Sequence, residues 1–261
     1  MSKLDEVLAD LEVEGDQLES LVAGLTDQQW LAPTPAEGWT IGHQIAHLAW
    51  TDEAAVMAAT DQQGWNELVL RADGDLNALV DAGASTGAKT SRIELLTRWH
   101  TTRTLLAKTL RAQSEGQRLP WFDQPMSLTS MATARFMETW AHGLDVAQAM
   151  GLASKPTDRV RHVVHLGVRA RSFAFNTNGF AAPEDDVFVS LRLPSGEVWE
   201  HGSPRADNAV RGSAYDFSLR VTQRRHRSDL DLVATGPVAD KWLDIAQAFA
   251  GPPGKGRPPS S

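Results

Sequence analysis

The 261-residue chain contains no cysteine. Without thiols it forms no disulfide, binds no iron–sulfur cluster and offers no cysteine nucleophile of its own. Any metal ion must therefore be bound through nitrogen and oxygen atoms. At this length the chain buries a hydrophobic core without covalent cross-links.

Basic residues are also scarce relative to acidic ones. Lys and Arg number 25 against 33 for Asp and Glu, which gives a net charge of −8 and a pI near 5.5. This balance argues against a general nucleic-acid binder, which needs a basic face. Residues 1–25 contain scattered acids and no uninterrupted apolar run as long as that of a signal peptide, so we expect a cytoplasmic protein with no membrane partner. Internal repeats and nucleotide-binding glycine loops are not evident either.

Apolar residues recur at three- and four-residue steps through the first 150 positions, which is typical of amphipathic helices. Thr26 and Asp27 open a short turn, and we interpret the small-residue run 81–88 as the end of the third helix. Gly151 is a C-cap for the fifth helix, and a loop at 116–125 precedes that helix. Long helices with short breaks predict an antiparallel bundle over residues 1–151. The predicted helices are 4–25, 40–59, 63–80, 89–113 and 127–150.

The pattern changes after residue 151. A helix is predicted at 158–175, followed by a hairpin of strands 187–193 and 197–201 around a Pro-Ser-Gly turn. Strands at 210–212 and 229–234 and a helix at 238–250 follow; residues 213–225 fit both a strand and a helix, and we favour the helix. The fold class is therefore α+β, with domains 1–151 and 152–250 and a disordered tail at 251–261.

One helical motif carries metal-binding chemistry. Glu138 and His142 are four residues apart, so they share a helix face, and His43 and His47 have the same spacing on another helix. A carboxylate and an imidazole at this spacing can bind one divalent ion, and a third ligand from another helix would complete the set. Three ligands leave positions open for substrate, as catalytic sites do.

Other interpretations of these residues remain open. Glu138 and His142 also fit a solvated ion pair, although the apolar sequence around Glu138 favours a buried carboxylate, which requires a cation or a hydrogen-bond partner. His43 fits a surface histidine as well as a ligand. Asp145 is better suited to orienting an imidazole than to direct ligation.

Arg224 and Arg225 form a basic pair that fits either solvated surface or a clamp for a substrate anion. Trp50, one turn after His47, fits either core packing or the wall of a binding pocket.

At these residues the chain resembles the mycothiol-dependent maleylpyruvate isomerase family, within the DinB-like metal-binding bundle superfamily. The matching segments cover nearly the whole chain. They are GWTIGHQIAHLAWTD, ETWAHGLDVAQAMG and the C-terminal half through AQAFAGPPG.

The resemblance implies a four-helix-type metal-binding domain followed by a smaller, sterol-carrier-like α+β domain. It also implies that His47, Glu138 and His142 bind zinc, that His43 does not, and that the family's C-terminal arginine falls nearest to Arg224, with Arg225 adjacent.

The hypothesis is a zinc-dependent enzyme that activates a low-molecular-weight thiol, mycothiol, for isomerisation of, or S-transfer to, a small electrophile. Arg224 or Arg225 would bind an anionic group of that substrate. The alternatives are metal-assisted hydrolysis and a non-enzymatic metal or small-ligand binding module. The chain would be a monomer or a homodimer, the latter being common among DinB-like bundles.

Overall fold

The computed structural model describes residues 1–72, 74–122 and 124–260. Asp73, Asp123 and Ser261 belong to the predicted third helix, the loop before the fifth helix and the tail, and they lie outside the described residues. The chain divides into two compact units, Met1–Ser154 and Lys155–Ser261.

The first unit is almost entirely helical. Its long helices α1, α3, α6 and α7 pack against one another, and a pair of two-residue antiparallel strands, β1 and β2, precedes α7. The sequence patterns did not indicate these strands. The elements are α1 (Lys3–Ala23), α2 (Asp27–Trp30), α3 (Ile41–Thr60), α4 (Gln62–Ala72), α5 (Leu76–Gly87), α6 (Arg92–Ala112), β1 (Arg118–Leu119), β2 (Met126–Ser127) and α7 (Leu128–Ala149).

Side-chain caps fix where several of these helices begin. Ser2 and Asp5 form a capping box at α1, in which the Ser2 hydroxyl accepts from the Asp5 amide at 3.1 Å. Ser91 caps α6 and Ser127 caps α7 in the same way, through the amide three residues on. These caps satisfy amides that have no partner within the helix.

The core of the first unit lies between the long helices. Ile41, Ile45 and Leu48 of α3 are fully buried, as is Trp99 of α6. Val22 of α1 and Val146 of α7 belong to the same apolar cluster. Burial of this continuous apolar face holds the helix carrying His47 in place beside the others.

The prediction of one helix at 63–80, ended by the run 81–88, is wrong. Two helices, α4 and α5, occupy this region, and α5 continues through the small residues to Gly87. A Cβ atom on Gly83 would lie 2.9 Å from the ring of Trp50 on α3, and one on Gly87 would lie 2.8 Å from Ala46 Cβ. The small residues therefore permit close packing of two helices rather than ending one.

The second unit combines short helices with a four-stranded sheet. The strand order is β4-β3-β5-β6, with β3 and β5 parallel and the outer pairs antiparallel. The elements are α8 (Arg161–Arg169), α9 (Arg171–Thr177), β3 (Val187–Arg192), β4 (Val198–His201), β5 (Asn208–Ser213), α10 (Ala214–Val221), β6 (Leu232–Thr235) and α11 (Pro237–Ile245), with 3-10 turns at Asp158–Val160 and Arg227–Asp229.

The predicted hairpin is confirmed, with Leu191 opposite Trp199. The chain then passes across the end of β3 to form β5 on its other side. Gly202 makes this crossing with a φ of +83°, and a Cβ atom there would lie 2.7 Å from the Val187 carbonyl oxygen. Only glycine fits both the backbone angle and the close approach.

The helical interpretation of 213–225 is confirmed for α10, which ends at Val221. The single helix predicted at 158–175 is instead divided at Ala170 into α8 and α9. The 3-10 turn Arg227–Asp229 occupies the start of the predicted strand at 229–234, and β6 begins at Leu232.

The tail, which the sequence predicts to be disordered, forms no helix or strand in its described residues 251–260 but makes defined contacts. The Gln247 side-chain amide donates to the carbonyl oxygens of Gly251 and Pro252 at 3.1 and 3.3 Å. The Ser260 amide donates to the Asp229 carboxylate at 2.8 Å. Among the described residues, no helix combines the length and the apolar character that crossing a bilayer requires.

Candidate metal centre

Three of the predicted site residues converge at one point between α3 and α7. His47 Nε2 lies 3.2 Å from Glu138 Oε2, and His142 Nε2 lies 3.1 Å from the same oxygen. One potential ligand atom from each residue falls within 4.8 Å of the other two. The two imidazole rings are 4.5 Å apart, centroid to centroid. The i, i+4 spacing on α7 places Glu138 and His142 together, and the packing of α3 brings His47 to them.

A chain of hydrogen bonds fixes the orientation of His142. The Thr34 hydroxyl donates to the Trp39 carbonyl oxygen at 2.9 Å, so it accepts from the Gln44 side-chain amide at 2.8 Å. The Gln44 side-chain oxygen then faces His142 Nδ1, which must be the donor. His142 therefore carries a proton on Nδ1, and its Nε2 is left to interact with Glu138 or with a cation.

The proton on His142 Nδ1 bears on whether the three residues fit a metal ion. In the neutral ring, His142 Nε2 carries a lone pair and lies 3.1 Å from the carboxylate oxygen Oε2 of Glu138. Both atoms are hydrogen-bond acceptors, so they need a proton or a cation between them. Two imidazole nitrogens and a carboxylate form a donor set that suits zinc and other divalent ions. The donor set therefore fits a divalent metal.

The charge state of Glu138 agrees with such a site. Burial raises the pKa of this carboxyl. When His142 and His47 are protonated on Nε2, their hydrogen bonds and positive charge outweigh burial and hold the pKa of Glu138 well below its usual range. The side chain of Glu138 is 21% exposed, and those of His47 and His142 are 8% and 11% exposed. A carboxylate held ionised in a largely enclosed place is suited to binding a cation.

Trp39 covers the imidazole rings and was not predicted to belong to the site. Its ring stacks on His142 at 6.0 Å and lies 5.3 Å from the ring of His47. Its indole nitrogen donates to the Asp81 carboxylate at 3.2 Å, which holds the ring in place. His47 Nδ1 is buried and has no hydrogen-bond partner in the described part of the chain, so ring packing orients this histidine.

Gln44 was likewise missed, although its position carries a signal. It precedes His47 by three residues and therefore shares the face of α3 that points toward α7. The amide is fully buried.

His43 has a structural role at the start of α3. The Thr40 amide donates to His43 Nδ1 at 3.3 Å, and the Thr40 hydroxyl lies 2.8 Å from the same nitrogen. This is a capping box in which histidine takes the place of the usual Glu or Gln. Burial lowers the pKa of His43, and the charge of Asp81 offsets this only in part. With Nδ1 engaged at the cap, His43 lies outside the three-residue group.

Two further predicted residues lie outside that group. Asp145 is buried on α7, one turn after His142. Trp50 packs in a satellite apolar cluster, where its ring stacks on Phe122 at 6.5 Å and Trp65 and Leu68 are neighbours. The roles predicted for Asp145 and Trp50 stay predictions.

A buried ion pair connects α3 and α7 next to the centre. Arg135 Nε donates to Asp52 Oδ1 at 2.8 Å, and both side chains are almost completely buried. Arg135 Nη2 also donates to the Thr51 hydroxyl at 2.6 Å, which in turn donates to the His47 carbonyl oxygen at 2.8 Å. Arg135 precedes Glu138 by three residues, so this network fixes the relative register of the two helices that carry the three-residue group.

Arg224 and Arg225 follow α10 in the second unit. Gln223 has a φ of +57°, and the Gln223 and Arg224 amides donate back to the Arg220 and Leu219 carbonyl oxygens at 3.0 and 2.8 Å. This is a Schellman motif with glutamine where glycine is usual. Arg224 is half-buried, and its Nη1 donates to the Thr222 carbonyl oxygen at 2.8 Å. Arg225 is exposed and lines a separate cavity.

A helical bundle that presents two imidazoles and one carboxylate from facing helices defines a class of scaffold suited to divalent ions. Within that class, the chain belongs to the mycothiol maleylpyruvate isomerase family. Residues 11–147 match the family described as "Mycothiol maleylpyruvate isomerase N-terminal domain". The predicted resemblance and the predicted α+β fold class are confirmed.

Relatives in sequence and in structure agree with this assignment. Two uncharacterised proteins from two strains of Mycobacterium tuberculosis are each 52% identical over 250 residues, covering 96% of this chain and 97% of theirs. Crystal structures of the mycothiol-dependent maleylpyruvate isomerase and of its histidine-to-alanine mutant each match with a TM-score of 0.61, at 15% and 16% identity. Both matches cover 88% of this chain and 92% of the solved one. At this identity the likeness shows a shared fold.

Proposed function

We propose that this protein is a divalent-metal enzyme, with zinc as the metal, that activates a low-molecular-weight thiol for reaction with a small electrophile. The thiol is mycothiol, by analogy with the solved structures that share the fold. The observation that carries the proposal is the convergence of His47, Glu138 and His142 on one point. A chain without cysteine has no thiol of its own to occupy that point.

His47, Glu138 and His142 would hold the ion, and neighbouring residues orient the two imidazole rings. Gln44 fixes the His142 ring with Nε2 facing Glu138, and Trp39 covers both imidazoles. When bound, the ion would lower the pKa of a thiol so that the thiolate persists at neutral pH. Three protein ligands leave room for that thiol, whereas a closed structural site uses four.

The reaction of the thiolate with the electrophile would need no external oxidant or reductant. Its sulfur adds to one carbon of a conjugated cis double bond, and the π electrons move onto the conjugated carbonyl. The former double bond rotates as a single bond, and the electrons return as the C–S bond breaks, which releases the thiolate and the trans isomer. If the adduct is protonated on carbon instead, the product is an S-conjugate.

Arg224 is proposed to bind an anionic group of the substrate. A guanidinium binds a carboxylate through two parallel hydrogen bonds, which fixes its orientation. The Schellman motif sets the direction in which Arg224 leaves α10. Asp145 is proposed to support the site indirectly, as a buried acceptor on α7.

Metal analysis of the purified protein and of Glu138→Ala tests the metal centre. We expect about one equivalent of metal in the wild type and a large loss in Glu138→Ala. His100→Ala is the matched control, because His100 Nδ1 also pairs with a glutamate, Glu19, at 2.9 Å, and among the described residues no third ligand completes a metal-binding group there. Equal, substoichiometric metal in all three proteins would contradict the proposal.

Turnover tests the reaction class. The same preparations are given a cis-configured, conjugated keto acid with and without mycothiol. We expect isomerisation or conjugation that depends on the thiol and is lost in Glu138→Ala. Thiol-independent turnover would favour metal-assisted hydrolysis, and bound metal without any turnover would favour a binding module.

A further inference from the structure

The second unit contains a cavity of about 640 Å³ whose charged lining is mainly basic. Its lining includes the cations Arg220, Arg225, Arg227, Lys255 and Arg257. None of the residues of the candidate metal centre lines it. A volume of this size is typical of small-molecule sites.

The acidic side chains of the lining neutralise only part of its positive charge. Asp240 and Asp244 also line the cavity, and both pair with Arg227, at 2.5 and 2.6 Å. Five cations and two carboxylates give the lining a net charge of +3, in a chain whose total is −8. The cavity is therefore a concentrated positive region in an acidic protein.

Arg220 is a buried cation without a carboxylate partner. The residue is 8% exposed, and its guanidinium donates to the Leu243 and Asp244 carbonyl oxygens, both at 2.6 Å. Within the described ranges, no carboxylate oxygen lies at ion-pair distance from it. Burial lowers the pKa of Arg220, and Arg227 lowers it further, against the attraction of Asp244. A buried guanidinium without a carboxylate partner is stabilised by a bound anion.

Two exposed cations of the lining, Arg225 and Lys255, are available to a ligand. In the part of the chain that the structure describes, neither has a hydrogen bond or ion pair. Arg225 follows the Schellman motif of α10, and Lys255 comes from the C-terminal segment.

The C-terminal segment reaches the cavity because it is held at two points. Gln247 binds Gly251 and Pro252, and Asp229 binds the Ser260 amide. Between these points Gly254 packs so closely that a Cβ atom there would lie 2.1 Å from the Gln223 side-chain oxygen. This contact makes the segment a wall of the cavity and places Lys255 in its lining.

We propose that this cavity binds a small polyanion, a ligand with two or more carboxylate or phosphate groups. Guanidinium and ammonium groups recognise both kinds of anion through charge-assisted hydrogen bonds, and arginine does so with two parallel bonds. Every lining residue belongs to the second unit, so the inference does not depend on the proposed thiol chemistry.

Isothermal titration calorimetry of the full chain with inorganic pyrophosphate and with citrate tests this site and separates the two kinds of anion. The cavity variant is Arg225→Ala with Lys255→Ala. The control is Arg192→Ala with Arg205→Ala, which removes the same charge from exposed positions of the same unit outside the lining. We expect affinity in the cavity variant to fall about tenfold or more, and the control to bind like the wild type.

Two further measurements make the result specific. Binding should weaken at about 0.5 M NaCl, where exposed charges are screened, and it should persist in Glu138→Ala, which removes chelation at the metal centre as its cause. Binding of only one anion would support the site and identify its chemistry. No binding of either anion, or equal affinities of the two double variants, would overturn the inference.

Discussion

The side-chain oxygen of Gln44 accepts the Nδ1 proton of His142, and this contact ties α3 to α7 at the candidate metal centre. The Thr34 hydroxyl determines which atom donates in this contact. It accepts a hydrogen bond from the Gln44 side-chain nitrogen, so the Gln44 side-chain oxygen is the atom that faces His142. Outer partners of this kind fix the tautomer and the direction of a metal-binding histidine. If His142 binds a metal ion as proposed, Gln44 would act on that ion through His142, as a positioning residue.

We expect Gln44→Leu to weaken metal affinity by about 10- to 100-fold, because His142 loses the acceptor that orients its ring. Gln44→Glu should retain most of the affinity, because its carboxylate still accepts from Nδ1. Competition with a chelator measures both variants. A wild-type affinity for Gln44→Leu would show that the contact does not orient the ligand.

His43→Ala should leave the metal content unchanged and lower the free energy of unfolding by about 0.5–1 kcal/mol, because α3 loses its capping partner. His43→Gln should recover that stability, since glutamine forms the same capping box. Chemical unfolding and metal analysis on the same samples separate the two effects. A fall in metal content in His43→Ala would instead make His43 a ligand.

The grouping of Glu138 with His142 could be predicted from the sequence because helical spacing is a local property. Glu138 and His142 share a face of α7 whatever surrounds them, and the resemblance added His47 from another helix. The contact between Gln44 and His142 joins residues 98 positions apart, so it depends on how α3 and α7 pack. Helical spacing places Gln44 on the same face of α3 as His47, but it does not specify which residue of α7 Gln44 contacts. Trp39 over the imidazoles depends on packing in the same way.

The prediction for the run 81–88 is wrong for a related reason. Glycine and serine are weak helix formers, and their local preference indicates a break. The preference is overridden because Gly83 and Gly87 allow α5 to approach Trp50 and Ala46 of α3. Whether a run of small residues ends a helix or permits close helix packing depends on the residues that lie opposite it in the fold.

Gly87→Ala should destabilise the protein by about 1–3 kcal/mol, although alanine is the better helix former. The added Cβ would lie 2.8 Å from Ala46 Cβ, so the two helices must move apart. Gly24→Ala is the control, because its φ is −89° and a Cβ atom there meets nothing within 4 Å. Urea unfolding should show the control to be neutral or slightly stabilised. Stabilisation of Gly87→Ala would mean that α5 does not pack closely on α3.

Glu19 gives the first unit a pH-dependent component of stability. Burial raises the pKa of this carboxyl, but hydrogen bonds and charges from His100 and Arg103 outweigh it, so the pKa lies below its usual range. His100 Nδ1 is 2.9 Å away, and Arg103 also pairs with Asp16 at 2.7 Å. A carboxyl with a lowered folded-state pKa stabilises the fold above its unfolded pKa, about 4.3, and loses this effect as the pH falls through the folded value.

We therefore expect Glu19→Gln to lower the free energy of unfolding by about 1 kcal/mol at pH 7, a modest value because the site is partly exposed. The difference from the wild type should shrink as the pH falls below about 4, where the wild-type carboxyl also becomes neutral. Urea unfolding of both proteins across this range measures the effect, with exposed Glu37→Gln as the control. A difference that stays constant with pH would show that Glu19 acts through packing and not through its charge.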